Sequence, residues 1–118
     1  MKKKIAILGS TGSIGKTTLE ILKKNKQKYE IILLTTNQNI SELIKQTKIF
    51  NVKNLIVINK KKFHIIKKKL LNKKINIFNN FNNFDKIFVN RIDYVMSSIS
   101  GLDGLKPTMD IIKFTKKI

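Results

Sequence analysis

The sequence predicts an α/β fold, a doubly wound parallel sheet in a single domain, and three observations predict it. Short apolar runs alternate with longer segments whose apolar residues recur at helical spacing. That alternation calls for helical crossovers between parallel strands, which cover both faces of the sheet. The chain has 118 residues, enough for one hydrophobic core and little more.

The elements follow in order. Lys4 to Leu8 is an apolar run stopped by Gly9 and reads as a buried strand. A glycine-rich stretch leads into a helix whose apolar positions are Ile14, Thr18, Ile21 and Leu22, with Asn25 as its stop. Glu30 to Thr36 is a second buried strand, followed by a loop at Thr36-Asn37-Gln38-Asn39. Ile40, Leu43, Ile44 and Thr47 mark a second amphipathic helix. Asn54 to Ile58 is a third strand, and Lys60 to Leu71 a helix with Phe63, Ile66 and Leu70 on one face. Ile75 to Phe78 is a fourth strand. Phe81 to Val89, rich in Phe and Asn, reads as an irregular short helix. Tyr94 to Ile99 is a fifth strand. Gly101 to Lys117 is a last helix with Leu105, Met109 and Ile112 facing inward and Pro107 in its first turn. A sixth strand would begin where the chain stops, at Ile118. The run Asn79-Asn80-Phe81-Asn82-Asn83 is a compositionally biased loop.

Composition excludes several classes. There is no Cys, so no disulfide framework and no thiolate metal site, and a single His, His64, expected on a helix surface. The longest clean apolar run, Ile31 to Leu34, is far short of a membrane span, and the run after Lys2-Lys3-Lys4 is too short for a signal peptide. A cytoplasmic location is the default, or a plastid if a transit peptide has been removed. The net charge of +18 by itself suggests nucleic acid. Lys, Ile and Asn, all with A/T-rich codons, make up about half the chain, and there is one Arg, Arg91, the residue that nucleic-acid readers favour. A solvated basic surface accounts for the charge, and no nucleic acid or membrane partner is expected. A basic nucleic-acid-binding module is kept as a distant alternative.

The informative motif is Gly9-Ser10-Thr11-Gly12-Ser13-Ile14-Gly15, between the first strand and the first helix. A helix start there presents unpaired N–H groups and the positive end of the helix dipole to a phosphate. Gly9 turns the chain off the strand, Gly12 lets backbone approach a pyrophosphate, and Gly15 lets the helix pack closely. Thr11 and Ser13 add hydroxyl donors. The fold expected around such a corner is Rossmann-like. Gly15-Lys16-Thr17 mimics the end of a triphosphate-binding loop, but that loop needs Gly where Ser10 stands. After the second strand the chain offers Asn37, Gln38 and Asn39, and no carboxylate before Glu42. Neutral donors there would accept a 2′-phosphate, which favours NADP over NAD, although Asn37 and Asn39 also suit a plain turn.

These residues resemble the N-terminal domain of the 1-deoxy-D-xylulose 5-phosphate reductoisomerases. Ile5 to Gly15 is close to the family's ILGSTGSIG signature, Thr18 to Ile21 resembles the helix after it, Thr35 to Ile40 sits at its A-G-K-N-like loop, and Ser97 to Thr108 resembles its A-A-I-V-G-x-x-G-L-x-P-T segment. The resemblance implies NADPH as cofactor, conversion of 1-deoxy-D-xylulose 5-phosphate to 2-C-methyl-D-erythritol 4-phosphate in non-mevalonate isoprenoid synthesis, and a homodimeric full-length enzyme. It implies that Thr11, Gly12, Ser13 and Ile14 hold the pyrophosphate, that Asn37, Gln38 and Asn39 surround the 2′-phosphate, and that Ser98 and Ile99 approach from across the sheet. Asn37 and Gln38 depart from a frequent Gly and a frequent Lys or Arg, and Ser97 and Ser98 from small apolar residues. The family's divalent metal (Mg or Mn), its metal-binding carboxylates and its sugar-phosphate site belong to a catalytic domain expected to be absent from this chain, so residues 1–118 would form an NADP(H)-binding domain that does not catalyse alone. Asp85, Asp93, Asp103 and Asp110 are expected in surface or capping roles. The alternative within the same chemistry is the cofactor domain of another NADP-dependent reductase.

Overall fold

The computed structural model describes residues 2–89, 91–99 and 105–117. Its elements, in chain order, are β1 (Lys3–Leu8), α1 (Ser13–Lys23), β2 (Tyr29–Thr36), α2 (Ile40–Phe50), β3 (Asn54–Val57), α3 (Lys60–Lys69), β4 (Asn76–Phe78), α4 (Phe84–Ile87), β5 (Ile92–Ser97), α5 (Leu105–Ile112) and β6 (Thr115–Lys117). The strands form one sheet in the order β4-β3-β2-β1-β5-β6, and each neighbouring pair is parallel. The doubly wound α/β expectation holds. The chain steps outward from β1 to β4, then returns to the other side of β1, so strand order reverses between β1 and β5. Ligands of open α/β sheets bind at the strand C-termini beside such a reversal.

Each sheet face carries its own apolar layer. Ile5, Ile7, Leu34, Leu55 and Val57 meet Leu19 of α1, Leu43 of α2 and Ile66 of α3 on one face. Ala6, Leu8, Leu33 and Ile56 meet Phe84 and Ile87 of α4 and Ile111 of α5 on the other. Ile31 and Leu33 are two residues apart yet sit in different layers. The β1–β2 register slips there, Ile5 facing Ile31 and Ala6 facing Leu33, and this bulge at Ile32 turns consecutive residues to one side. The Phe-rich segment read as an irregular short helix is α4, and Phe84 packs against the rings of Phe81, Phe88 and Phe114. Asn serves the helix ends: Asn39 and Asn59 cap α2 and α3 through their side chains, and Asn51 closes α2 at φ 54°, a left-handed conformation Asn tolerates.

Three expectations need correction. The buried stripe of α1 is Gly15 and Leu19, with Leu22 partly buried; Ile14 and Ile21 are 64% and 60% exposed. The helix turns to bring Gly15, the residue without a side chain, against the loop, and that choice carries Ile14 and Ile21 outward. The last helix ends at Ile112, and Thr115–Lys117 form β6 beside β5, so the sixth strand lies within the chain. The inward residues of α5 are Pro107 and Ile111, one helical turn apart, while Met109 and Ile112 are exposed. Pro107 does lie in the first turn, and the expectations for Gly101, Asp103 and the Leu105 side chain fall outside the described residues. His64 is on the helix surface, its ring tilted against that of Phe63.

Candidate cofactor site

The site is built where β1 ends. Gly9 takes φ +75°, a left-handed turn off the strand, and a Cβ there would stand 3.1–3.2 Å from Ser98 Oγ and the Ile99 backbone amide. Glycine is therefore required twice over at this position. Gly15 is required by closeness alone, since its Cβ would lie 2.6 Å from Ser10 Cα and 2.7 Å from Gly9 O. Gly12 is different. Among the described residues a Cβ there would meet only Gly9 O, at 3.6 Å, so none of them fills the space beside it.

Gly12 is also the N-cap of α1, with extended backbone and no side-chain cap. The contrast with α2 and α3 is informative, because there Asn39 accepts a bond from Glu42 N (3.3 Å) and Asn59 from Lys62 N (3.0 Å). Among α1, α2 and α3, only α1 has a cap residue with no side-chain acceptor to offer, and its first-turn amides have no side-chain partner, the arrangement that suits an external anion. No acidic residue stands in that first turn to oppose one.

The loop is held in place by β2 and α2. Gly9 N donates to Thr35 Oγ1 (2.8 Å) and Ser10 N to Thr35 O (2.9 Å). Thr11 Oγ1 and Thr36 Oγ1 are 2.6 Å apart, and Thr36 Oγ1 also accepts from Asn39 N (3.3 Å). Either hydroxyl can donate in the Thr11–Thr36 pair, and when Thr36 donates, the Thr11 hydroxyl proton is available outward. Across the reversal, Ser98 donates its hydroxyl to Leu8 O (3.0 Å) and Gly9 O (2.7 Å) and its amide to Leu8 O.

These ends surround a cleft of about 600 Å³ lined by Gly9, Thr36, Asn37, Ile58, Asn79, Phe81, Ile99 and Pro107. That volume is in the range of nucleotide-sized sites. A second groove, of about 350 Å³, runs between the start of α2 and α3, where Gln38, Asn39 and Ser41 face Lys62 and Lys69.

The chain's similarity to known proteins agrees with this geometry. The family model described as 1-deoxy-D-xylulose 5-phosphate reductoisomerase matches residues 5–118. This chain belongs to the 1-deoxy-D-xylulose 5-phosphate reductoisomerase family. It is 58% identical to the reductoisomerase of Pelagibacter ubique over 98% of this chain and 30% of that protein. Among solved structures, the Zymomonas mobilis reductoisomerase in complex with NADPH superposes with TM-score 0.84 at 28% identity, over 95% of this chain and 30% of that one. Another reductoisomerase, in complex with NADPH, fosmidomycin and magnesium, superposes with TM-score 0.79 at 26% identity, covering 90% and 26%. The chain thus spans about three tenths of the length of the curated relatives it matches.

Within this reductoisomerase fold the residues singled out in the sequence divide. Thr11, Gly12, Ser13 and Ile14 come together at the open start of α1, with Gly12, Ser13 and Ile14 exposed. Asn37 lines the cleft and Gln38 the lysine groove. The Asn39 side chain caps α2, which leaves its amide plane turned to the helix. Ser98 is occupied with the β1 carbonyls, and Ile99 lines the cleft. Asp93 accepts from Lys4 N, and Asp110 pairs with Lys106 one turn away on α5.

Sequence reasoning missed Thr35 and Thr36, read there only as strand and loop. It also missed Asn79, whose Nδ2 donates to Val57 O and Ile58 O at 3.0 Å each. The run read as a compositionally biased loop is in this way part of the cleft wall. Lys62 and Lys69 carried no local signal among so many lysines. Among the described residues no three of His, Cys, Asp and Glu gather as a cation site, and no helix is long and apolar enough to cross a membrane.

Proposed function

We propose that this chain binds NADPH as the cofactor domain of an enzyme that converts 1-deoxy-D-xylulose 5-phosphate to 2-C-methyl-D-erythritol 4-phosphate. One observation carries the reading: the first helix begins at a glycine with free space beside it and no side-chain cap, next to a nucleotide-sized cleft at the strand reversal. The amides of Ser13 and Ile14, with the Thr11 and Ser13 hydroxyls, suit a pyrophosphate there. Asn37 and Gln38 stand where the adenosine ribose would lie, and Lys62 and Lys69 supply positive charge to the adjoining groove, which fits a 2′-phosphate. Asn39 would contribute through the backbone it holds.

When bound, NADPH supplies the hydride for reduction. The chain's residues hold and orient it. The magnesium of the related structures finds no donor set of His, Cys, Asp or Glu among the described residues. Residues 1–118 then act as one NADP(H)-binding domain, with the sugar-phosphate and metal sites in sequence beyond this chain, in keeping with its share of the relatives' length.

A fluorescence titration tests the reading. NADPH should bind at least about tenfold more tightly than NADH, since one charge-assisted contact to the 2′-phosphate contributes about 1.5–3 kcal/mol. Equal affinities, or no binding, would overturn it. Steeply salt-dependent binding of DNA, unaffected by NADPH, would favour the nucleic-acid reading instead.

A further inference from the structure

We infer that Gln46 is a positioning residue for the phosphate loop, acting from α2 through the backbone of Ser10. This rests on the function proposed above. Gln46 is 4% exposed and Ser10 wholly buried, 36 positions away in the chain. Their contact is reciprocal: Gln46 Nε2 donates to Ser10 O (2.9 Å), and Ser10 Oγ donates to Gln46 Oε1 (2.8 Å). Ser10 also bonds Thr35 O through its amide and lies directly against Gly15. Its backbone is gripped by β2, α1 and α2 at once.

The consequence follows from peptide geometry. In a trans peptide the carbonyl and the next N–H point in opposite directions, and the described residues hold no cis peptide. Gln46 draws the Ser10 carbonyl into the protein, so the Thr11 N–H is turned away from it, to the outer side of the loop. An apolar side chain in place of Gln46 would leave the Ser10 carbonyl and hydroxyl buried with weaker partners. The peptide would then rotate, and the Thr11 N–H would leave the phosphate position. Gln46 lines neither the cleft nor the lysine groove and is distinct from the residues proposed above to hold the cofactor.

The test uses the 118-residue chain with NADP+, followed by calorimetry, alongside 2′-AMP, which carries the ribose phosphate but no pyrophosphate. Gln46→Leu should weaken NADP+ by about tenfold or more while 2′-AMP changes less than about twofold. Gln46→Glu adds a readout that packing alone would not move. Its carboxylate cannot donate to Ser10 O, but the protonated carboxyl can, and burial beside that carbonyl and beside the Glu42 carboxylate, whose Oε2 accepts from Gln46 Nε2 at 3.4 Å, raises its pKa. NADP+ affinity of Gln46→Glu, relative to the parent chain at each pH, should therefore recover as pH falls from 8 to 5. Parallel losses of NADP+ and 2′-AMP, or a flat pH ratio, would make Gln46 a mere support of α2 and overturn the inference. Unchanged NADP+ affinity in both variants would overturn it as well. A parent chain that binds no NADP+ would refute the proposed function, and this inference with it.

Discussion

Gly12 and Gly15 stand three residues apart in one motif, and replacing each by Ala should produce opposite effects. In Gly15→Ala the new Cβ meets three backbone atoms, at 2.6, 2.7 and 2.7 Å, where ordinary contact starts near 3.4 Å. Backbone cannot rotate away as a side chain can, so α1 must move off the loop by about 0.8 Å. Overpacking of this kind costs about 1–3 kcal/mol, and backbone contacts on three sides place it at the upper end. The better helix propensity of Ala returns about 1 kcal/mol. A net loss of about 2 kcal/mol lowers Tm by roughly 8 °C in a domain of this size. In Gly12→Ala the Cβ meets one atom at 3.6 Å, and φ −76°, ψ 172° is a conformation Ala adopts freely. The poorer cap, worth about 0.5–1 kcal/mol, is offset by lost unfolded-state entropy of about 0.4–1 kcal/mol. Stability should stay within about 0.5 kcal/mol of the parent. The methyl group, however, occupies the space a phosphate needs, and loss of one charge-assisted bond weakens NADPH by about 10- to 100-fold. Thermal melts and NADPH titrations on the two variants decide the matter. If Gly12→Ala bound NADPH like the parent, or if Gly15→Ala melted like it, the division into a ligand-facing and a packing glycine would be wrong.

Two further outcomes are expected. Thr36→Val keeps the shape of a side chain that is 3% exposed but removes the partner of Thr11 Oγ1 and Asn39 N; urea melts should show a loss of about 1–2 kcal/mol and titrations a several-fold weaker NADPH affinity. Asn79→Ala removes both bonds to the β3 end, so it should destabilise by about 1–2 kcal/mol and bring faster hydrogen exchange at Ile58 and its neighbours, which exchange mass spectrometry would detect.

The elements that repeat locally were legible. The second helix was readable from Ile40, Leu43 and Thr47 and the third from Ile66 and Leu70, because on these helices the residues that set the period are buried, while Ile49 and Ile65 stand off that face and are exposed. On α1 they are not: Ile14 and Ile21 looked like core, and the helix instead presents Gly15 and Leu19. A period shows that a helix has a preferred face, but when a glycine must make the closest approach, it outranks larger apolar residues in setting which face. The C-terminal end misled for a related reason. Ile111, Ile112 and Phe114 continue an apolar pattern past the helix end, and pairing with β5 converts the last residues to strand.

The amino-acid order by itself determined the alternation of strand and helix and the glycine turn that opens the first helix, because spacing and turn chemistry act over a few residues. Tertiary structure alone decided that Ser10 would be held by Gln46, that Thr36 would join Thr11 to Asn39, and that Lys62 would face Gln38. Those partners lie on different elements, and only the folding of the sheet puts them within reach of a hydrogen bond or a shared groove.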